Sequence, residues 1–246
     1  MCIRDRANIG SRVGDRTAVL VLSKGVVGPL GTLPTRYVAD RMRARAVACL
    51  GGPAHAAEAV VAGASVVLAS EDAHLRKQLG DALGAAGLDV VRTDDVAGTE
   101  LAGCAKNVAA LAAAAAAAGG MNAAGAVAGR VFTEIHAYAL LEGARSETFV
   151  GLAGTGDLVA TAMAEGSRNR RAGELLGRGV GRDEVGGLVG QAAEALDTVP
   201  LLALLMSESR RDAPAIAGLA ELVAGRIGPE EWVAGVCAPR KAARAA

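Results

Sequence analysis

Residues 98–120 read GTELAGCAKNVAALAAAAAAAGG, an almost unbroken alanine and leucine stretch that carries one basic residue and one amide, Lys106 and Asn107. Alanine has the highest helix propensity and only a methyl side chain. The run from Ala109 to Ala118 is therefore predicted to be helical and to let neighbouring helices approach closely, as the spine of a helical domain. A lysine on such a surface either snorkels to water with its stem over alanines or has a polar reason to be there, because burying an unpaired ammonium is costly. Both readings of Lys106 stay open until the rest of the chain is considered.

The 246 residues suffice for one large or two modest domains with a substantial core. The 26 basic and 26 acidic residues balance, so no global field steers nucleic acid or an anionic membrane toward the chain, and neither is an expected partner. Only a local basic patch for a small anion remains. Cys2, Cys49, Cys104 and Cys237 show no paired spacing, which argues against a zinc cluster or a disulfide scaffold and for reduced thiols. His55, His74 and His136 also lack metal-ligand spacing and read as surface or structural histidines, so no metal is expected. The alanine run falls short of the roughly 20 residues needed to cross a bilayer, and MCIRDRANIGSRVGDR lacks the apolar core of a secretory leader. A cytoplasmic location is the expectation.

Short apolar strands are predicted at Thr17 to Leu22, Ala46 to Leu50, Ser65 to Ala69 and Leu88 to Arg92. Between them lie a loop or short helix with Gly28, Pro29, Gly31 and Pro34, a helix to about Val61 with Pro53 in its first turn, and a helix to about Ala86 capped by Ser70, Glu71 and Asp72. This alternation argues for part of an α/β sheet built by crossover connections. From Asp94 onward only helices are predicted, at about Asp94 to Ala118, Ala123 to Glu142, Gly156 to Ala164, Arg170 to Leu176, Gly190 to Met206 and Ala215 to Ala224. The boundary is placed near Asp94, giving an α/β unit at 17–93 and an all-α unit at 94–238, with the tail from Pro239 frayed.

Polar residues gather in GLAGTGDLVAT from Gly151 and in GSRNRRAG from Gly166. Asp157 sits where a helix starts and is either an N-terminal cap or a site carboxylate. Ser167, Arg168, Asn169, Arg170 and Arg171 supply hydroxyl, amide and guanidinium donors suited to a phosphate, which favours a phosphorylated ligand over a merely solvated helix start.

Together these motifs resemble the bacterial NAD(P)-dependent glycerol-3-phosphate dehydrogenases. The resemblance rests on SKG at Ser23 to Gly25, Gly52-Pro53, TELAGCAKNVAALAAA from Thr99, ETFVGLAGTGDLVAT from Glu147, SRNRRAG from Ser167 and GQAAEA from Gly190, and it covers about Val19 to Gly228. It implies a partial Rossmann domain followed by an all-α substrate domain of the 6-phosphogluconate-dehydrogenase-like C-terminal type. The implied activity interconverts sn-glycerol 3-phosphate and dihydroxyacetone phosphate, a small phosphorylated three-carbon substrate, for glycerophospholipid synthesis, with NAD or NADP as cofactor. On this resemblance Lys106 is the catalytic lysine that takes the hydroxyl proton, and Lys24 contacts substrate and cofactor. Asp157 is the acidic substrate-site residue, and Ser167, Arg168 and Asn169 grip the phosphate with Arg168 near the cofactor. Gly52, Ala54 and Ala56 make backbone contacts around the Gly-Pro turn, while Ala192 and Glu194 contact the cofactor.

The chain also departs from the family pattern. It contains no GxGxxG or GxGxxA dinucleotide loop and no first βαβ unit, and Ala57 stands where lysine is usual. The resemblance therefore implies that about the first third of the family's length is missing, that MCIRDR is a non-native leader, and that cofactor affinity is weak or absent. An exposed remnant of a divided sheet would invite association, so a homodimer is a candidate assembly. The competing readings are a related hydroxy-acid dehydrogenase, which SRNRR beside GLAGTGDL argues against, and a non-catalytic helical binding or dimerisation protein.

Overall fold

The computed structural model describes residues 10 and 12–238. Four strands, β1 (Ala18–Val21), β2 (Ala46–Gly51), β3 (Ser65–Ala69) and β4 (Asp89–Thr93), form one sheet in the order β1-β2-β3-β4. Helix α1 (Pro34–Arg41), with proline in its first turn, links β1 to a parallel β2 in which Ala46 faces Ala18. Helix α3 (Ala73–Ala85) links β3 to a parallel β4, and the Asp72 carboxylate accepts the Leu75 N–H at 2.8 Å to cap it.

The expectation that every connection is a crossover fails at the centre of the sheet, where β2 and β3 run antiparallel with Cys49 opposite Ala69. The intervening helix α2 (Ala56–Ala62) has no buried residue, so it does not lie on a sheet face as a crossover helix does. It also begins after His55, so Pro53 stands ahead of the helix and not in its first turn. Most sheet residues pack in two small clusters, one with Val21, Val38, Met42, Cys49 and Ala69, the other with Ala48, Leu68 and Leu75, while Val67 of β3 joins the large helical cluster.

After β4 every regular element among the described residues is a helix or helical turn. Helix α4 (Val96–Ala115) is capped by Asp95, whose carboxylate accepts the Gly98 N–H at 2.9 Å. A short 3-10 turn at Ala117–Gly119 ends the predicted long helix earlier than Ala118. Then come α5 (Met121–Leu141), α6 (Ser146–Val150), a π-helical turn at Leu152–Gly156, α7 (Asp157–Met163), α8 (Arg168–Gly177), α9 (Arg182–Val189), α10 (Glu194–Glu208), α11 (Pro214–Val223) and α12 (Pro229–Cys237). The helix expected from Gly190 begins instead at Glu194, because Gly190 adopts φ 71° and closes α9. The tail from Pro239 and the first nine residues lie outside the described residues.

Helix α4 is the spine that its composition predicts. Leu101, Ala105, Val108, Ala109, Leu111 and Ala112 are all at or near zero exposure within one large apolar cluster. Close approach is achieved with glycine on the neighbouring helix. A Cβ on Gly173 would sit 2.1 Å from the Leu111 carbonyl oxygen, and one on Gly177 would sit 2.6 Å from that of Ala115. The α8 and α4 backbones therefore touch, which fixes the arginine-rich start of α8 relative to Lys106.

Candidate active site

Lys106 does not snorkel. It is only 7% exposed, and its Nζ donates to Thr161 Oγ1 at 2.9 Å and pairs with Asp157 Oδ1 at 3.2 Å. Burial pushes the Lys106 ammonium below the ordinary lysine range, and the positive charge of Lys24 pushes it further down, while Asp157 opposes both. Asp157 begins α7, yet the cap reading is corrected: Gly156 holds the N-cap position and the carboxylate turns inward. Its Oδ2 meets Lys24 Nζ at 2.5 Å, and its Oδ1 accepts from Thr161 at 3.3 Å. One buried carboxylate thus bridges two lysines.

Lys24 comes from the loop after β1, and its Nζ also donates to the Gly52 carbonyl at 3.0 Å. Gly52 has φ 93°, and a Cβ there would come within 3.2 Å of the Ser65 carbonyl oxygen, so glycine is required at this turn. The Lys24 main chain is held as well. Its N–H donates to Glu194 Oε2 at 3.3 Å, and its carbonyl accepts from Asn107 Nδ2 at 3.0 Å. Burial raises the Glu194 carboxyl above its ordinary range, opposed by the Lys24 N–H and by Arg168.

A cleft of about 300 Å³ gathers these groups. Lys24, Ala54, Ala56, Lys106, Asp157, Ser167, Arg168, Asn169 and Glu194 all line it, as the sequence motifs imply. Ser167 caps α8, its hydroxyl accepting the Arg170 N–H at 3.3 Å, and Asn169 Oδ1 accepts the Ala195 N–H at 3.1 Å. That bond leaves the Asn169 amide nitrogen as its donor toward a ligand. Arg168 is exposed at the rim. Gly52 enters through its carbonyl bond to Lys24. Ala192 is not brought to the cleft; it lines a separate depression between α9 and α10, beside Gly190 and Asp197.

Among the polar residues of the cleft, His55, Asn107 and Thr161 had no specific role implied by the sequence motifs. The four-residue step from Asp157 to Thr161 is the signal that was available for Thr161, since it stacks both on one helix face. His136, read as structural, hydrogen-bonds Ser146 at 3.1 Å and lies against Phe149. Cys49 and Cys104 are free and buried. Among the described residues no cluster of three or more His, Cys, Asp or Glu side chains could hold a metal ion, and no helix is long and apolar enough to cross a membrane.

Residues 95–234, which carry the spine, Asp157 and the arginine-rich start of α8, match the family described as NAD-dependent glycerol-3-phosphate dehydrogenase C-terminus. The chain belongs to that family. A protein from Paracidovorax citrulli named glycerol-3-phosphate dehydrogenase (NAD(P)+) is 37% identical over 200 residues, covering 80% of this chain and 58% of its own. One of the same name from Zymomonas mobilis is 31% identical over 215 residues, covering 86% of this chain and 63% of its own. The chain thus spans less than two thirds of either relative. The crystal structure of glycerol-3-phosphate dehydrogenase from Coxiella burnetii superposes with a TM-score of 0.87 at 29% identity, covering 96% of this chain and 73% of that one. The architecture of a small mixed-sheet, Rossmann-like segment followed by a larger helical one also matches a ketopantoate reductase of Ralstonia eutropha, at TM-score 0.56 and 19% identity, as fold alone.

Proposed function

We propose that the cleft interconverts sn-glycerol 3-phosphate and dihydroxyacetone phosphate, feeding glycerophospholipid synthesis. The observation that carries this reading is the bridged Lys24–Asp157–Lys106 group set opposite the Ser167, Arg168 and Asn169 donors in one cleft. Arg168, Ser167 and Asn169 hold the phosphate. Its dianion suits a guanidinium, and the helix start adds N–H donors. Lys106 takes the proton of the substrate hydroxyl during oxidation and returns it during reduction. Burial and Lys24 together favour the neutral amine that the first of these steps needs. Lys24 stabilises the oxygen as negative charge develops on it. Asp157 and Thr161 aim Lys106.

Lys24, Ala56, Arg168 and Glu194 share the cleft and fit the reactive end of a nicotinamide cofactor, NAD or NADP. When bound, that group supplies or accepts the hydride. Ala192, outside the cleft, is a contact only for a more distant part of the cofactor. Within this reading residues 17–93 and 94–238 are the two working units, the second of the 6-phosphogluconate-dehydrogenase-like helical type. The division is supported by the last strand ending at Thr93 and the spine beginning at Val96. The free buried thiols support a cytoplasmic setting, and the edge of β1, which no other strand pairs with among the described residues, supports self-association into a homodimer. Without a dinucleotide loop in its sequence, this chain is expected to bind the cofactor weakly and to be inactive by itself. A full-length protein carrying that loop together with this cleft is expected to oxidise NADH or NADPH only when dihydroxyacetone phosphate is present, and Lys106→Ala to abolish it. Turnover retained in that variant would sink the proton role.

A further inference from the structure

We propose that Asn107, with Gly103 and Glu194, forms a cradle that positions Lys24, so that Asn107 serves the reaction through Lys24 and not by touching substrate. The proposal rests on the functional reading above for its meaning, and on four observations for its geometry. Asn107 Nδ2 donates to the Lys24 carbonyl at 3.0 Å and to Glu194 Oε2 at 3.2 Å. An amide nitrogen has two protons, and both are committed, so this wall of the cleft has no Asn107 N–H left for a ligand. The amide orientation is fixed by the same pair, since its oxygen in that place would face a carbonyl and a carboxylate.

The same Glu194 oxygen accepts the Lys24 N–H, so the two flanking peptide groups of Lys24 are held from α4 and α10 at once. Gly103, one turn before Asn107 on the same face of α4, leaves room for the lysine stem. A Cβ there would come 3.2 to 3.5 Å from Lys24 Cβ, Cγ and Cδ. The following residue is fitted equally closely, as a Cβ on Gly25 would lie 2.8 Å from Thr198 Oγ1.

These contacts explain why a flexible four-carbon side chain can serve a fixed point in the cleft. A lysine side chain has many rotamers, and holding its backbone and the first half of its stem confines the terminal nitrogen to the arc that reaches both Gly52 and Asp157. The strand segment supplies Lys24, while the helical segment decides where it stands.

A double-mutant cycle on glycerol 3-phosphate affinity, measured by calorimetry on the full chain, tests the cradle. Asn107→Ala and Lys24→Ala should each weaken binding, the former about five- to tenfold as expected for one buried hydrogen-bonded group. Adding Asn107→Ala to Lys24→Ala should then cost nothing more. Additive losses would show that Asn107 acts on its own and overturn the proposal. Should Asn107→Ala fail to fold, Gly103→Ala, which adds one methyl against the Lys24 stem, carries the same cycle. A second readout needs no substrate: the Lys24 side-chain nitrogen resonance should move in both Asn107→Ala and Gly103→Ala, and an unmoved resonance also overturns the cradle. A wild-type chain that ignores glycerol 3-phosphate defeats the functional reading, while the resonance still decides the cradle.

Discussion

Helix α4 in the helical part is sealed on every side, with Leu101 through Ala112 buried and glycines on α8 pressed against its carbonyls. Helix α2 in the sheet part buries nothing, and its Val60 and Val61 are each 87% exposed. Among the described residues, β1 and β4 each pair with a strand on one side only. Yet the candidate site draws on both parts. Lys106 stands on the sealed helix and Asp157 at the buried start of α7, whereas Lys24 and Gly52 come from the looser segment. The contrast teaches where precision originates: a close-packed core can aim a side chain by itself, while a group delivered from a less packed segment must be anchored across the boundary.

Substitutions can break this contrast, beginning with the largest effect. Lys106→Ala removes the group proposed to carry the proton, which the sealed part holds in place. In a full-length protein that carries the dinucleotide loop, turnover should fall by about 10²- to 10⁴-fold with unfolding little changed, since Asp157 keeps Lys24 as its partner. Steady-state kinetics beside a melting curve would check both halves. Next in size, Gly173→Leu drives a side chain into the Leu111 carbonyl. It should cost about 3 kcal/mol or more in denaturant unfolding, because neither backbone can retreat.

The pH response sharpens the comparison by separating the two lysines. On the proposed function, glycerol 3-phosphate oxidation by a cofactor-binding full-length protein needs neutral Lys106, so its rate should rise with pH through the lowered Lys106 pKa. Lys24→Met removes a charge that lowers this pKa and frees Asp157 for Lys106, so the rising limb should move to higher pH. Glu194→Gln removes a negative charge that helps hold the proton on Lys106, so the limb should move to lower pH. Movement of both profiles in one direction would contradict the electrostatics. The smallest effect belongs to the sheet part, where a Cβ on Gly84 of α3 meets nothing within 4 Å. Gly84→Ala should stabilise by up to about 1 kcal/mol through helix propensity alone, visible as a small rise in melting temperature.

Much of this was legible from local chemistry. The apolar run Ser65–Ala69 coincides with β3, and the alanine spine, the capped start at Asp72 and the polar motifs all fall where composition and caps place them. Helix α9 was missed because Gly186 and Gly187 depress its propensity and only Val185 is buried. Helix α12 carried a readable signal in Pro229 at its first turn, followed by two acidic residues. The antiparallel β2–β3 pair was not legible, since strand direction depends on where α2 packs, and α2 packs on nothing. Asp157 shows the same limit within the site. Its position at a helix start fits a cap, and only the tertiary approach of two lysines turns its carboxylate inward. The partners of Asn107 lie 83 and 87 residues away, beyond any local pattern.

The central claim is that this cleft recognises a small phosphorylated polyol through the start of α8 and the bridged lysines. Its most direct test is calorimetric titration of the chain with glycerol 3-phosphate and, separately, with glycerol. The account predicts saturable one-site binding of the phosphate ester, none of glycerol, and about tenfold or greater weakening in Arg168→Ala, the worth of a charge-assisted bond. Equal response to the two ligands, or full affinity in Arg168→Ala, would contradict it.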